Sequence, residues 1–275
     1  MGIIVGIDVG GSTTKIAGVK DGKVISPMMT RATDPVASLY GAFGKFTSAN
    51  GIALSDIERL AVTGVGSVFA GEEIFGLPAE HITEFVAIGK GGSYLSGLEK
   101  AVVVSMGTGT ALVYCDKNGA EHLGGTGVGG GTLVGLSKKL IGTADVNAIE
   151  TLAEKGDINQ IDLMVNDLTA KDIGPTLPAS MTASNFGKIG DLVRSEDVAK
   201  GLINMIYETV AVVARFAASS KGIKDIVLTG RLSALRSAPA AFDILGKTFD
   251  VNFVIPDNSE YATVIGAALT LSDKK

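Results

Sequence analysis

The chain has 275 residues, 46% of them hydrophobic, only 5% aromatic, with a formal net charge of −5. That is enough apolar material for one large core or two medium ones, and an acidic chain poor in aromatics offers no footprint for nucleic acid. The lone cysteine, Cys115, excludes an internal disulfide or a cysteine metal cluster, and the most apolar run, residues 202–218, is broken by Glu208 and Arg215 and does not read as a membrane span.

A strand begins at once, so no signal peptide is expected, and Gly6 stands where myristoylation needs a hydroxyl residue. The cytoplasm is the expected compartment. Residues 3–7, Ile-Ile-Val-Gly-Ile, are short, apolar and β-branched and predict a buried strand. It runs into GIDVGGSTTK, residues 6–15. Glycine and hydroxyl N–H groups suit phosphate oxygens, and a carboxylate suits Mg²⁺. A plain hairpin would use the same glycines, but has no need of Asp8 at the strand end and Lys15 beyond the turn. The Walker pattern fails, because Ala241 stands where Gly246-Lys247-Thr248 requires a glycine. A dinucleotide loop fits poorly too, since residues 14–20 read as a second strand and Asp21-Gly22 as a hairpin turn.

Asp34-Pro35 opens a helix ending near Gly51. Residues 60–64 form a strand and 80–85 another, and a small-residue helix follows through Gly91, Tyr94 and Leu98. The pattern then restarts with strand 101–105, turn MGTGT, strand 111–115, the Asn118-Gly119 hairpin and strand 121–123. GGTGVGGGTLVGL, residues 124–136, then leads six glycines into a helix, where exposed N–H groups and the positive helix end suit an anion or a ribose. So many glycines cost chain entropy and need a use. Strand, glycine hairpin, strand, turn, strand, helix thus occurs twice, from about 3 and from about 101. A duplicated α/β unit with a nucleotide cleft between its halves is expected. Residues 143–177 read as a polar helical insertion capping the second half. A long helix over 197–220 puts Ile203, Ile206, Val210, Val213 and Ala217 on one face, for a core or a subunit interface. Strand 226–228, a helix, strand 253–255 and a final helix from Ala262 close the chain.

The strand, phosphate hairpin and strand at the start resemble the opening of the superfamily of actin, sugar kinases and heat-shock ATPases. That resemblance implies a duplicated ribonuclease-H-like α/β fold, with halves at 1–98 and 99–275. DVGGSTTK (8–15), SMGTGT (105–110), GGTGVGGGTLVGL (124–136) and MTASNFGK (181–188) together resemble a type II pantothenate kinase over nearly the whole chain. This implies transfer of the γ-phosphoryl group of ATP to the primary hydroxyl of pantothenate, the first step toward coenzyme A, with Mg²⁺ and in a homodimer. By the same resemblance Glu84 is the catalytic base and touches the acceptor. The residues agree, since a carboxylate between Ile82 and Phe85 at a strand end holds its proton more tightly and can accept one from a hydroxyl. An ordinary helix-capping acid is the alternative. ATP contacts are implied at Asp8, Gly10, Gly11, Ser12, Thr13 and Lys15 in the first half. In the second they fall on Thr108, Gly129, Gly130, Gly131, Thr132, Val146 and Arg231. Asp8 would stand near Mg²⁺ and Lys15 near the transferred phosphate, while Thr108, His122 and Thr182 would join Glu84 around pantothenate. His122 occupies the place of a family arginine that holds the pantothenate carboxylate, and Arg231 that of a small residue near the adenine.

Three other readings share part of this pattern. The activator ATPases of the 2-hydroxyacyl-CoA dehydratases open similarly but need cysteines for an iron–sulfur cluster between subunits, and only Cys115 exists. A sugar or amino-sugar kinase of the superfamily fits the hairpins, without the zinc-binding cysteines of the repressor-type members or their usual aspartate context. An actin-like or chaperone-like binding protein has no use for a base at Glu84.

Overall fold

A computed structural model describes residues 2–31, 34–169, 179 and 181–274. β1 (Ile3–Val9), β2 (Thr13–Lys20) and β3 (Lys23–Arg31) form an antiparallel meander. α1 (Pro35–Asn50) starts where the Asp34 carboxylate accepts the Ala37 N–H at 2.7 Å and stops at Gly51, whose φ of 61° is left-handed. β4 (Ile57–Thr63) returns parallel to β1, and β6 (Leu77–His81) lies parallel to β4 with two-residue β5 (Glu73–Ile74) at its edge. The sheet order is β3-β2-β1-β4-β6-β5. Ile3, Val5, Ile7 and Val9 alternate toward α1 and pack on Leu39, Phe43 and Phe46.

α2 (Glu84–Ser96) follows, and here the structure corrects the expected strand over 80–85. The Ile82 N–H makes the last ladder bond, to the Val62 carbonyl at 2.8 Å, and from Thr83 the backbone is helical, with the Ala87 N–H donating to the Thr83 carbonyl at 3.1 Å. From Thr83 onward burial follows a helical period through Ala87, Ile88, Gly91 and Gly92. Glu84 therefore opens a helix instead of ending a strand.

The second half repeats the plan. β7 (Ala101–Met106), β8 (Thr110–Asp116) and β9 (Gly119–Thr126) form the meander, and α3 (Gly130–Ile141) follows. β9 runs three residues past its expected end, because a register shift opposite Leu112 and Val113, with φ 132° at Gly124, carries Gly124 and Gly125 into the sheet.

The insertion differs more. α4 (Val146–Ala153) is helical, but then comes a ribbon of β10 (Leu163–Met164) and β11 (Thr182–Ser184), with the single turn α5 (Val165–Leu168) between them. The fully buried Asp162 explains the ribbon: its carboxylate accepts the Phe186 N–H at 2.8 Å and the Asn204 amide at 2.9 Å, pinning residues 182–186 to the helix beneath. Of the insertion expected over 143–177, residues 170–177 lie outside the described residues.

α6 (Ser195–Ser220) is that helix, and its Ile203, Ile206 and Val210 form the middle of the larger core. It is long and apolar enough to cross a membrane by length and composition alone, but half of that apolar window is buried inside the protein. β12 (Asp225–Thr229) runs parallel to β7, followed by α7 (Ala238–Phe249), β13 (Asn252–Val254) and α8 (Ala262–Asp273). The second sheet is ordered β13-β12-β7-β8-β9 and so matches the first except for the edge strand β5, which has no counterpart there.

The two halves meet through α2 and α8. α8 returns to the first sheet, packing Val264, Ala267 and Ala268 on Ile4, Ala17 and Val19. Where it crosses α2, a Cβ on Gly91 would lie 1.8 Å from the Ala262 carbonyl oxygen, and one on Gly266 1.9 Å from that of Ala87. On the opposite side of α2, a Cβ on Gly92 would lie 2.5 Å from Val103 of the second sheet. These glycines let α2 sit between α8 and the second sheet with its N-terminus at the cleft.

Candidate active site

Asp8 pairs across the first sheet with Lys15 on β2 and with Thr63 on β4. Residues directly opposite one another share a face, and on β1 the even-numbered residues face α8 and α2. Lys15, Asp8 and Thr63 therefore form one row at the end of β1, where the N-terminus of α2 brings Glu84. Their charges feel one another. Burial pushes the Asp8 carboxyl up to about 6, with Lys15 opposing the rise and Glu84 adding to it. Burial also raises the Glu84 carboxyl above its ordinary value, again opposed by Lys15. Lys15 is itself only 8% exposed. One buried cation thus serves two carboxylates that hold their protons more tightly than usual.

The Asp8 carboxylate is walled in by Gly64. A Cβ there would lie 2.5 Å from Asp8 Oδ1, and the glycine takes φ 86°. Gly64 belongs to a motif that sequence reasoning missed, Thr63-Gly64-Val65-Gly66-Ser67, which recurs as Thr229-Gly230-Arg231-Leu232-Ser233. Both glycines have φ 86°, and Ser67 and Ser233 each donate a hydroxyl bond to the glycine carbonyl, at 2.6 and 2.7 Å. Thr-Gly-x-x-Ser after the first parallel strand of each half was the available signal. Thr63 was missed with it. Its buried hydroxyl has no hydrogen-bond partner among the described residues, whereas that of Thr229 donates to the Val104 carbonyl at 3.3 Å.

From the second half comes Thr108, whose hydroxyl lies 3.1 Å from that of Ser12. The tips of the two hairpins, with Gly10, Gly11 and Thr13 on the first, thus meet across the cleft. The glycine arch behaves differently from the expectation of free N–H groups. The Gly130 and Gly131 N–H groups donate to the Gly107 and Thr108 carbonyls, both at 2.8 Å, and the Thr132 hydroxyl donates to Gly127. A Cβ on Gly129 would lie 2.8 Å from the Gly109 backbone. The arch is glycine-rich because it lies directly on the second hairpin and holds Thr108 in place.

Arg231, half-buried in the turn after β12, reaches across to Met29 Sδ at 3.7 Å. Val146 opens α4 beside Asp145, which pairs with Arg31 at 3.8 Å. His122 on β9 stacks flat on Phe85, the residue after Glu84 on α2, with ring centroids 3.7 Å apart and planes 8° from parallel. Thr182 stands apart from this group. Its hydroxyl donates to Glu208 at 2.7 Å in a groove of about 390 Å³ between α6 and α7, and no contact among the described residues joins it to Asp8 or Glu84.

Over 97% of its length the chain is 30% identical to a type II pantothenate kinase of Oceanobacillus iheyensis, covering 98% of that protein. A type II pantothenate kinase of Staphylococcus aureus is 30% identical over 82% of this chain and 83% of its own. The family model described as Fumble matches residues 100–253. The chain belongs to the type II pantothenate kinase family. Among solved structures, the activator of the 2-hydroxyisocaproyl-CoA dehydratase from Clostridium difficile with bound ADPNP superimposes with a TM-score of 0.71, at 16% identity over 99% of this chain and 95% of that one. A ROK family glucokinase from Streptomyces griseus, in complex with glucose and AMPPNP, follows at 0.62 and 14% identity, over 98% and 99%. At such identities they share the fold, the two-lobed actin-like architecture expected from the duplicated hairpins. In this pantothenate kinase family member Cys115 is a buried strand residue whose thiol faces the Ala101 carbonyl at 3.6 Å.

The raised Asp8 carboxyl has a consequence for stability. Between its ordinary 3.8 and about 6, the folded protein keeps a proton that the unfolded chain has released. The cost of this carboxylate to folding is therefore absent below pH 4, grows as pH rises to 6 and persists above. Asp8→Asn should raise the melting temperature of the metal-free protein at pH 7.5 by on the order of 2–4 °C, the scale of 1 kcal/mol in a chain this size. The gain should vanish near pH 4. A variant that melts lower than wild type at pH 7.5 contradicts this.

Proposed function

We infer that the chain transfers the γ-phosphoryl group of ATP to the primary hydroxyl of pantothenate. The observation that carries the reading is the convergence of Asp8, Lys15 and Glu84 at the end of β1, in a chain of this family. Glu84, raised by burial, accepts the proton of the acceptor hydroxyl as the hydroxyl oxygen bonds the γ-phosphorus and the bond to the β,γ-bridging oxygen breaks, releasing ADP. Lys15 balances charge on the phosphoryl oxygens, and the Ser12 and Thr108 hydroxyls donate to them from opposite hairpins. Positioning and charge neutralisation are most of what such a transfer requires. The nucleotide lies along the hairpin at 8–15, the arch at 129–132, Val146 and Arg231.

The residues fit a magnesium ion. The Asp8 carboxylate, walled in by Gly64 at the cleft, suits Mg²⁺, which keeps waters and phosphate oxygens as its other ligands. When bound, Mg²⁺ neutralises charge on the phosphates.

Pantothenate lies between Glu84, Thr108 and the His122–Phe85 stack, and Thr182, held on Glu208 in its own groove, takes no part. Halves 1–98 and 99–275 close on both ligands, with α2 and α8 as the seam. The enzyme works in the cytoplasm, where ATP and Mg²⁺ are abundant. The bare outer faces of α6 and α7, where Phe216 and Ile244 are 61% and 63% exposed, support a homodimer. Sedimentation velocity should give a dimer at micromolar concentration, and a monomer there refutes that part.

Glu84→Ala should bind ATP as wild type does while losing roughly 10²-fold or more in turnover, the scale of a positioned base. Normal kinetics would move the base elsewhere. His122→Arg should lower the pantothenate KM by about tenfold, because a permanently charged fork can stack on Phe85 and grip a carboxylate with two bonds. An unchanged KM would mean that another group holds the carboxylate.

A further inference from the structure

Two segments carry the residues assigned to the nucleotide outside the hairpins and the arch: α4, with Val146, and the turn after β12, with Arg231. Each sends one side-chain contact to the end of β3. Asp145 pairs with Arg31 and Arg231 reaches Met29, and these two β3 residues, two apart, share a face. A base held between Val146 and Arg231 would sit in a slot whose width depends on how α4 stands relative to that turn.

Glu150 ties the two together. It lies one helical turn beyond Val146 and is only 6% exposed. One carboxylate oxygen accepts the backbone N–H of Arg236 at 2.5 Å, and the other accepts the Arg236 Nε–H at 3.2 Å. Arg236 also reaches Glu154 at 3.1 Å, while its side chain remains largely in solvent. The bond to the backbone matters most, because it restrains the path of the chain and not only a side chain. Nearer its start the same turn is held by the buried Tyr207, whose hydroxyl donates to the Leu232 carbonyl at 3.1 Å. The turn is thus tied to α6 at Leu232 and to α4 at Arg236. A buried carboxylate is a costly way to join two segments that apolar packing could join as well, which points to position as its use.

We propose that Glu150 is a positioning residue for the nucleotide base, setting the width of the slot between Val146 and Arg231. The proposal rests on reading this cleft as an ATP site. Titration calorimetry of the full chain with ATP and with tripolyphosphate, which has no base, tests both. Glu150→Met keeps the buried volume but loses the acceptor. It should weaken ATP about tenfold, the scale of a lost charge-assisted hydrogen bond, and leave tripolyphosphate unchanged. In steady state its KM for ATP should rise by the same factor with kcat held. A folded Glu150→Met that binds ATP normally, or that loses tripolyphosphate equally, overturns the proposal. If Glu150→Met does not fold, Glu150→Gln decides. It keeps an acceptor for the backbone N–H but not the charge, so a loss of about threefold confined to ATP supports the proposal, and none overturns it. Wild type binding ATP no more tightly than tripolyphosphate overturns the base-site reading itself, whatever the variants do.

Discussion

The place of α2 between the two halves is the constraint on which the site depends. No side chain fits at Gly91 or Gly266, where each helix meets backbone oxygen of the other, and none at Gly92, where α2 meets Val103. Such contacts cannot be relieved by a rotamer change, so they fix the helix in depth as well as direction. Glu84 and Phe85 ride on its first turn. The distance from Glu84 to the Asp8–Lys15 row is therefore decided at glycines two turns further along, far from the chemistry.

The duplication explains how the halves divide the work. Each has a meander, a parallel strand and a left-handed glycine pressed against the first strand. Gly64 and Gly230 press alike on the last strand residue, Val9 and Met106, both fully buried; the copies differ one residue earlier, where Asp8 pairs with Thr63 and Ser105 with Thr229. One copy of the same architecture thus presents a carboxylate opposite a lysine, and the other a serine opposite an alanine. The unpartnered Thr63 hydroxyl beside Asp8, against the bonded Thr229 in the other copy, follows the same division. Charge is gathered on one side of the cleft, where burial makes it responsive to a bound ligand.

His122 lies in face-to-face contact with Phe85, so the wall beside Glu84 is a pair of flat rings. Its polar edges can turn toward a ligand only in the plane of that stack. The arch has a related lesson. Its glycines bring the helix onto the hairpin: the Gly130 and Gly131 N–H groups are spent on hairpin carbonyls and that of Gly129 on the Thr132 hydroxyl, so the arch fixes the place of Thr108.

The order of the elements and the duplication were legible in the chain itself, because short β-branched runs, Asp-Gly and Asn-Gly turns and Pro or Gly at helix ends are local signals. Asp8, Lys15 and Thr108 were legible for the same reason, each standing at a fixed offset from a strand end. Other features depended on partners distant in sequence. The strand expected at 80–85 gave way to a helix start after its last ladder bond, from Ile82 to Val62, and the insertion became a ribbon because Asp162 bonded Phe186 and Asn204. Thr182, inside the most family-specific stretch, came to rest on Glu208, away from the acid row. The stack of His122 on Phe85 and the tie from Glu150 to Arg236 join residues 37 and 86 positions apart. Local propensity carries no information about such pairs; packing of the two halves through α2 and α8, and of α4 and α6 on the second sheet, decided them.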